Sequence, residues 1–191
     1  MITCDEAREL ARNTLSEHRY YHTQCVAEAA IKLAAQYGCD VQKAELAALL
    51  HDILKERSDN DLLQILKGSD IINFAQIERC PALWHSFAGG IYVEDELGCP
   101  REIADAVRYH TAGRPAMTLL EKVVFLADYI SADRDFKGVA EVREIAAHSL
   151  DSACLAALHN CIIHLAKQYR FINVGSVEAY NYLLPMEGEN G

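Results

Sequence analysis

The run Leu49-Leu50-His51-Asp52-Ile53-Leu54-Lys55 sets an imidazole and a carboxylate side by side in an otherwise apolar helical stretch. Burying an ionised carboxylate bare costs on the order of several kcal/mol, or shifts its pKa until it neutralises. Any fold this chain adopts must therefore bring a cation to the dipeptide, either a basic side chain or a metal ion. If it is a metal, distant segments must supply its other ligands.

The rest of the chain has helical rather than strand periodicity. A first helix is predicted over residues 3–15, with Leu10 and Leu15 inward and Ala7 and Ala11 between them. A second runs from Ser16 or Glu17 to Tyr37, where Gly38 supplies a left-handed terminator. Asp40 caps a third, Val41 to about Arg57, which places His51 and Asp52 in its C-terminal half. Ser58 or Asp59 starts a short helix closed by Gly68, and residues 70–80 read as a short helix or an irregular loop. Pro81 opens a helix to Leu97, whose Gly89-Gly90 pair implies close approach of another backbone.

Pro100 opens a helix over Arg101 to Tyr109 that runs into the turn His110-Thr111-Ala112-Gly113-Arg114-Pro115. Thr118 and Glu121 predict a capping box for a helix from Leu119 to about Ile130, apolar on nearly all sides, with Asp128 near its end. Helices follow over 139–147 and 151–169, and Ser176 caps a last one ending near Leu184-Pro185. Only Phe171 to Val174 is weakly strand-like, so the class is all-α, a single-domain helical bundle over residues 1–191. Its core is expected at about 16–135, with C-terminal helices at about 138–184 and a frayed tail at 187–191.

Eighteen Lys and Arg against 28 Asp and Glu give a formal charge of −10. That balance argues against a nucleic acid polymer as partner, because such binding rests on many cationic phosphate contacts. A small phosphorylated ligand stays open, since a metal and a few local basic residues override the global sign. The seven Cys are dispersed with no CxxC pair, which predicts reduced thiols and a cytoplasmic setting. No apolar run approaches the roughly 18 residues of a membrane span, so neither export nor membrane insertion is expected. A homodimer is neither required nor excluded.

Polar residues in apolar helical surroundings form a set: His22, His51, Asp52, His85, His110 and Asp128. Taken singly, His22 or His85 reads more readily as a hydrogen-bonded core histidine. Taken together, four imidazoles and two carboxylates suit iron, manganese, zinc, cobalt or nickel better than calcium. Six ligands fit two octahedral divalent ions sharing one carboxylate, with Asp52 reaching between both.

Positive charge for phosphates is available from Lys55, one turn after His51, from Arg19, and from Arg114 and Arg134. Thr111 flanks a ligand, and each of these has the alternative of an ordinary hydrogen bond or surface salt bridge. Tyr109, Tyr129 and Tyr180 are candidate stacking partners for a base. His18 shares the His22 face and reads as a supporting or structural residue, whereas His148, His159 and His164 read as incidental.

The order His22, His51-Asp52, Asp128 resembles the signature of the HD superfamily of metal-dependent phosphohydrolases, and His85 and His110 resemble the extra ligands of its two-metal members. The phrases LLHDILKE, LWHSFAGG, VRYHTAGRPAMTLLEKVVFLADYISADR and AYNYL resemble the bacterial YqeK family of symmetrical diadenosine tetraphosphate hydrolases, over roughly residues 8–183. The resemblance implies an HD-type bundle with two divalent ions, iron first and manganese, cobalt or nickel as alternatives. By that analogy His22, His51, Asp52 and Asp128 hold one ion, and Asp52, His85 and His110 the other. A metal-bridged hydroxide would cut the nucleotide into two ADP, with Asp52 and Lys55 as catalytic residues and Arg19, Lys55, Thr111, Arg114 and Arg134 binding substrate. The rival readings are a hydrolase of another nucleotide, a di-iron oxygenase and a non-catalytic nucleotide-binding module.

Overall fold

The computed structural model describes residues 1–69 and 77–185. Among them are ten helices and no strand: α1 Cys4–Thr14, α2 Glu17–Tyr37, α3 Val41–Leu50, α4 Asp59–Lys67, α5 Pro81–Asp95, α6 Arg101–Tyr109, α7 Leu119–Ile130, α8 Val139–Ala146, α9 Leu150–Lys167 and α10 Val174–Leu183. The all-α expectation holds. Part of the ambiguous stretch 70–80 and the tail expected to fray lie outside the described residues.

Most boundaries follow from local chemistry. Ser16, Asp40 and Ser58 each accept the backbone N–H of the residue three positions on, and Gly38 ends α2 at φ 73°. Thr118 likewise accepts the N–H of Glu121. The Glu121 carboxylate reaches back to the Thr118 hydroxyl at 3.1 Å and also accepts two bonds from Arg114.

Three boundaries differ from the sequence reading. The weakly strand-like residues 171–174 contain no strand, and α10 begins after Asn173, ahead of Ser176. The third helix stops at Leu50 rather than Arg57, and residues 51–57 continue as tight turns with N–H groups of Ile53, Lys55 and Arg57 bonding three residues back. The reason is a side chain: His51 donates from Nδ1 to the Ala48 carbonyl at 2.6 Å, the acceptor that Asp52 N–H would use in a continuing α-helix.

Helix α7 lies at the centre, packed against α2, α3, α6 and α9. Leu120 to Ala127 are buried save Lys122, as an all-round apolar helix requires. Helix α3 packs on α1, α2, α6 and α7, while α5 lies on α4 and α6. One hydrophobic core runs from Ala7 on α1 to Ala179 on α10.

The α5–α6 contact uses the glycine pair as expected. A Cβ on Gly90 would stand 2.7 Å from Arg108 Cβ and 2.8 Å from the Ala104 carbonyl, neither able to rotate away. On Gly89 it would meet Val107 Cγ1 at 3.3 Å. Gly90→Ala should therefore lower stability by about 1–3 kcal/mol despite alanine's better helix propensity, and more than Gly89→Ala does. Thermal unfolding of the two variants checks this; equal melting temperatures would contradict it.

Candidate metal centre

Five elements bring the six proposed ligands together: α2 carries His22, the turn after α3 His51 and Asp52, α5 His85, the end of α6 His110, and α7 Asp128. The four histidines and Asp52 are almost wholly buried, and Asp128 is partly exposed. Adjacent imidazole centroids are 5.4 Å (His22 and His51), 4.9 Å (His51 and His110) and 5.3 Å (His85 and His110) apart. Two overlapping triads, His22–His51–Asp128 and His51–Asp52–His110, each have ligand atoms within 4.8 Å of one another.

Hydrogen bonds on the far side of each ring set the tautomers. His51 Nδ1 donates to Ala48 O, and His110 Nδ1 repeats the device on Val107 O at 2.7 Å, so both α3 and α6 end at a ligand histidine. His22 Nδ1 bonds Asp133 Oδ2 at 2.7 Å. All three rings thus turn an Nε2 lone pair inward, the arrangement in which an outer partner orients a metal-binding imidazole.

Several of these acceptors face carboxylate oxygens. Asp52 Oδ1 lies 3.2 Å from His85 Nε2 and 3.6 Å from His110 Nε2, while His22 Nε2 lies 3.1 Å from Asp128 Oδ1. His51 Nε2 and Asp52 Oδ1 are buried with no hydrogen-bond partner. Orphaned buried acceptors that converge in this way call for a cation among them. The donor set of imidazole and carboxylate fits a borderline divalent metal.

The local field agrees. Burial raises the Asp52 carboxyl, but the surrounding imidazoles of His51, His110 and His85 outweigh it and hold it well below the usual range. Asp128 is likewise held low against burial, by His22, His51 and Arg134. Burial pushes His85 down to about 4, keeping its lone pair free, whereas the Asp52 charge lifts His51 against its own burial. Lys55 is lowered by desolvation.

Four of the five predicted substrate contacts border the ligands. Arg19 Nη1 bonds Asp52 Oδ2 at 2.9 Å, Lys55 Nζ lies 3.1 Å from His85 Nε2, and Thr111 Oγ1 lies 2.9 Å from His110 Nε2. Arg134 donates to the Asp128 carboxylate and carbonyl and reaches within 3.4 Å of His22 Nε2. Arg114 stands apart, its planar fork filled by two 2.7 Å bonds to buried Glu121.

His18 is exposed, outside the cluster. Each candidate stacking tyrosine is already engaged: Tyr109 by Phe87 and Arg114, Tyr129 by Phe136, Tyr180 by His159.

Two residues went unassigned in the sequence. Asp133 orients His22, and Arg143 bonds the carbonyls of Ile130, Ser131 and Arg134, bracing the loop that carries Asp133 and Arg134. The only sequence signal for Asp133 was its place beside Arg134, just past α7. Asp133→Ala should weaken metal affinity by about 10–100-fold, and Asp133→Asn by less, because its amide oxygen still accepts from the ring. Chelator competition measures both, and an unchanged affinity in the alanine variant would refute the orienting role.

The family description "HD domain" matches residues 19–133, the stretch that contains all six residues. The chain belongs to the HD-domain family. It is 40% identical over 181 residues to the symmetrical bis(5'-nucleosyl)-tetraphosphatase of Bacillus subtilis (strain 168), covering 94% of this chain and 97% of that protein. It is 42% identical over 184 residues to the protein of the same name from Halalkalibacterium halodurans, covering 94% and 96%. Among solved structures, a protein from Clostridium acetobutylicum described as a predicted HD superfamily hydrolase involved in NAD metabolism matches with a TM-score of 0.91 and 34% identity over 96% of this chain and 97% of that one. An HD superfamily hydrolase from an uncultured Thermotogales bacterium, at TM-score 0.50 and 22% identity over 86% of this chain and 90% of that one, shares the fold.

Proposed function

We propose that this HD protein hydrolyses diadenosine tetraphosphate symmetrically, adding water across the central phosphoanhydride to release two ADP. The near-full-length identity to relatives carrying that activity in their names is the observation that carries the reading. The converged ligand set supports it. His22, His51 and Asp128 would hold one divalent ion and Asp52, His85 and His110 a second, with His51 and Asp52 between the two groups. Bound metals supply an activated water and Lewis acidity toward phosphoryl oxygens. Iron is the metal we favour, on the imidazole-rich donor set and the family resemblance.

The chain's own residues do the rest. Asp52 and Asp128 stay ionised and would hold the cations that gather on them. Arg19 and Arg134 sit on these carboxylates, and an incoming polyphosphate gives their guanidinium groups a second anion to bind bidentately. Lys55, whose proton is loosened by burial, can hand it to a departing ADP oxygen. The seven cysteines are all free, which accords with a reducing cytoplasmic setting. No helix of the described residues is long and apolar enough to cross a membrane.

Anaerobic incubation of iron-loaded protein with diadenosine tetraphosphate, followed by nucleotide chromatography, tests the proposal. ADP as the sole nucleotide product is the expected result. ATP plus AMP, or intact substrate, would overturn it.

A further inference from the structure

Besides the tyrosines weighed as base-stacking partners, a further aromatic side chain lies in a cleft that adjoins the metal centre. This cleft, of about 270 Å³, is lined by the start of α5, the inner face of α9 and the segment leading into α10. Leu83, Leu158, Ile162 and Leu165 give it an apolar floor. Phe171, 38% exposed, stands at its mouth with the Arg79 guanidinium 4.6 Å from the ring centroid.

Two links join the cleft to the ligands. Thr111 lines it and lies 2.9 Å from His110 Nε2 through Oγ1. Cys161 also lines it, and feels the charges of Asp128 and Arg134.

Its charge is out of keeping with the whole. In a chain of net charge −10, the lining carries Arg79, Arg170 and His164 and no carboxylate. Three other clefts of the described residues each carry at least one, such as Glu28, Glu45 or Glu56. An apolar slot with an aromatic and a guanidinium at its mouth, basic at the rim and polar toward a metal site, matches a nucleoside attached to phosphates. Its volume, just below the roughly 300–1,000 Å³ of ligand pockets, suits one nucleoside rather than two.

We infer that this cleft seats one nucleoside of the substrate, its base stacked on the Phe171–Arg79 pair and Arg170 on the phosphate side. The inference rests on the proposed function for the identity of the nucleotide. Stacking on an aromatic is tolerant of base identity, so the subsite selects for a nucleotide by area and charge rather than by hydrogen-bond readout of the base.

The test compares metal-loaded wild type with Phe171→Ala, Phe171→Tyr and Arg79→Gln, all at exposed positions where folding is untouched and thermal unfolding verifies it. Equilibrium binding of ADP and of inorganic pyrophosphate is measured alongside the KM for diadenosine tetraphosphate. Phe171→Ala should weaken ADP binding and raise KM about tenfold, with Phe171→Tyr restoring both and pyrophosphate affinity unchanged. ADP affinity within twofold of wild type in both Phe171→Ala and Arg79→Gln would overturn the subsite, and so would an equal loss for pyrophosphate in Phe171→Ala. Binding is read separately from turnover. A wild type that binds ADP through Phe171 but releases none from the tetraphosphate would therefore sink the proposed reaction and leave the subsite standing.

Discussion

Asp52→Ala is expected to reduce ADP release from diadenosine tetraphosphate by about a thousandfold or more, while the chain still folds. Loss of a single charge-stabilising group at an active centre commonly lowers turnover by about 10²–10³-fold, and Asp52 serves several partners at once. Its two oxygens lie within 2.9 to 3.6 Å of Arg19, His51, His85 and His110, which come from α2, the turn after α3, α5 and the end of α6. Removing the carboxylate leaves three inward Nε2 lone pairs without the anion that balances a bound cation, so the ion between them should be lost together with activity. Asp52→Asn provides the sharper version, since it keeps the volume and replaces one oxygen by an NH₂ donor that can satisfy imidazole lone pairs without a metal. Metal content by elemental analysis and ADP by chromatography report the outcome. Either variant retaining above about a tenth of wild-type turnover would remove Asp52 from the centre of the mechanism.

Side chains that violate their local surroundings were legible in the sequence, and relations across the fold were not. Asp128 in a largely apolar helix and His51-Asp52 in a greasy run stand out because burial of such groups needs a reason. Gly38, Asp40 and the Gly89-Gly90 pair were legible because backbone conformation and close approach are local demands. The true end of α3 was hidden, since it depends on which carbonyl the His51 ring captures, a rotamer choice that periodicity cannot express.

Arg114 illustrates the same boundary. Its spacing beside His110 suggested a phosphate contact, and nothing in that spacing showed that Glu121, seven residues on, folds back across the Pro115 turn to meet its fork. Asp133 and Arg143 act over separations of 111 and 9 to 13 residues respectively, and only the folded chain shows whom they meet. Convergence itself was the largest unknown: spacing nominated six ligands, and the packing of α2, α3, α5, α6 and α7 joins them.

Removing the metals should destabilise the protein as well as silence it, and acid should do the same by a route the geometry specifies. An ion present at about a thousand times its dissociation constant stabilises the native state by about 4 kcal/mol. For a chain of this length about 2–4 °C accompanies each kcal/mol, so chelation should lower the melting temperature by roughly 8–16 °C. Without the ion, the orphaned His51 Nε2 and Asp52 Oδ1 keep their desolvation penalty and lose their partner. As pH falls, the ligands that release the metal must be ones that gain protons. The carboxylates resist, because Asp52 and Asp128 are held low and remain ionised through mild acid. His85 resists too, being pushed down to about 4. His51, by contrast, is raised above its ordinary value of about 6.5, because the Asp52 charge outweighs burial, so protons compete with the metal for its Nε2 as pH falls toward and below that value. Protonation at Nε2 turns its inward lone pair into a donor and sets a positive charge beside the metal. The loaded protein should accordingly lose metal and melting temperature together across that window, while in the chelated protein, with no ion to expel, the raised His51 favours the fold as it gains its proton, so its melting temperature should not fall on that account. Thermal scans of both forms from pH 8 to pH 5 decide it, and parallel curves for the two would show that protons and metal do not compete for His51.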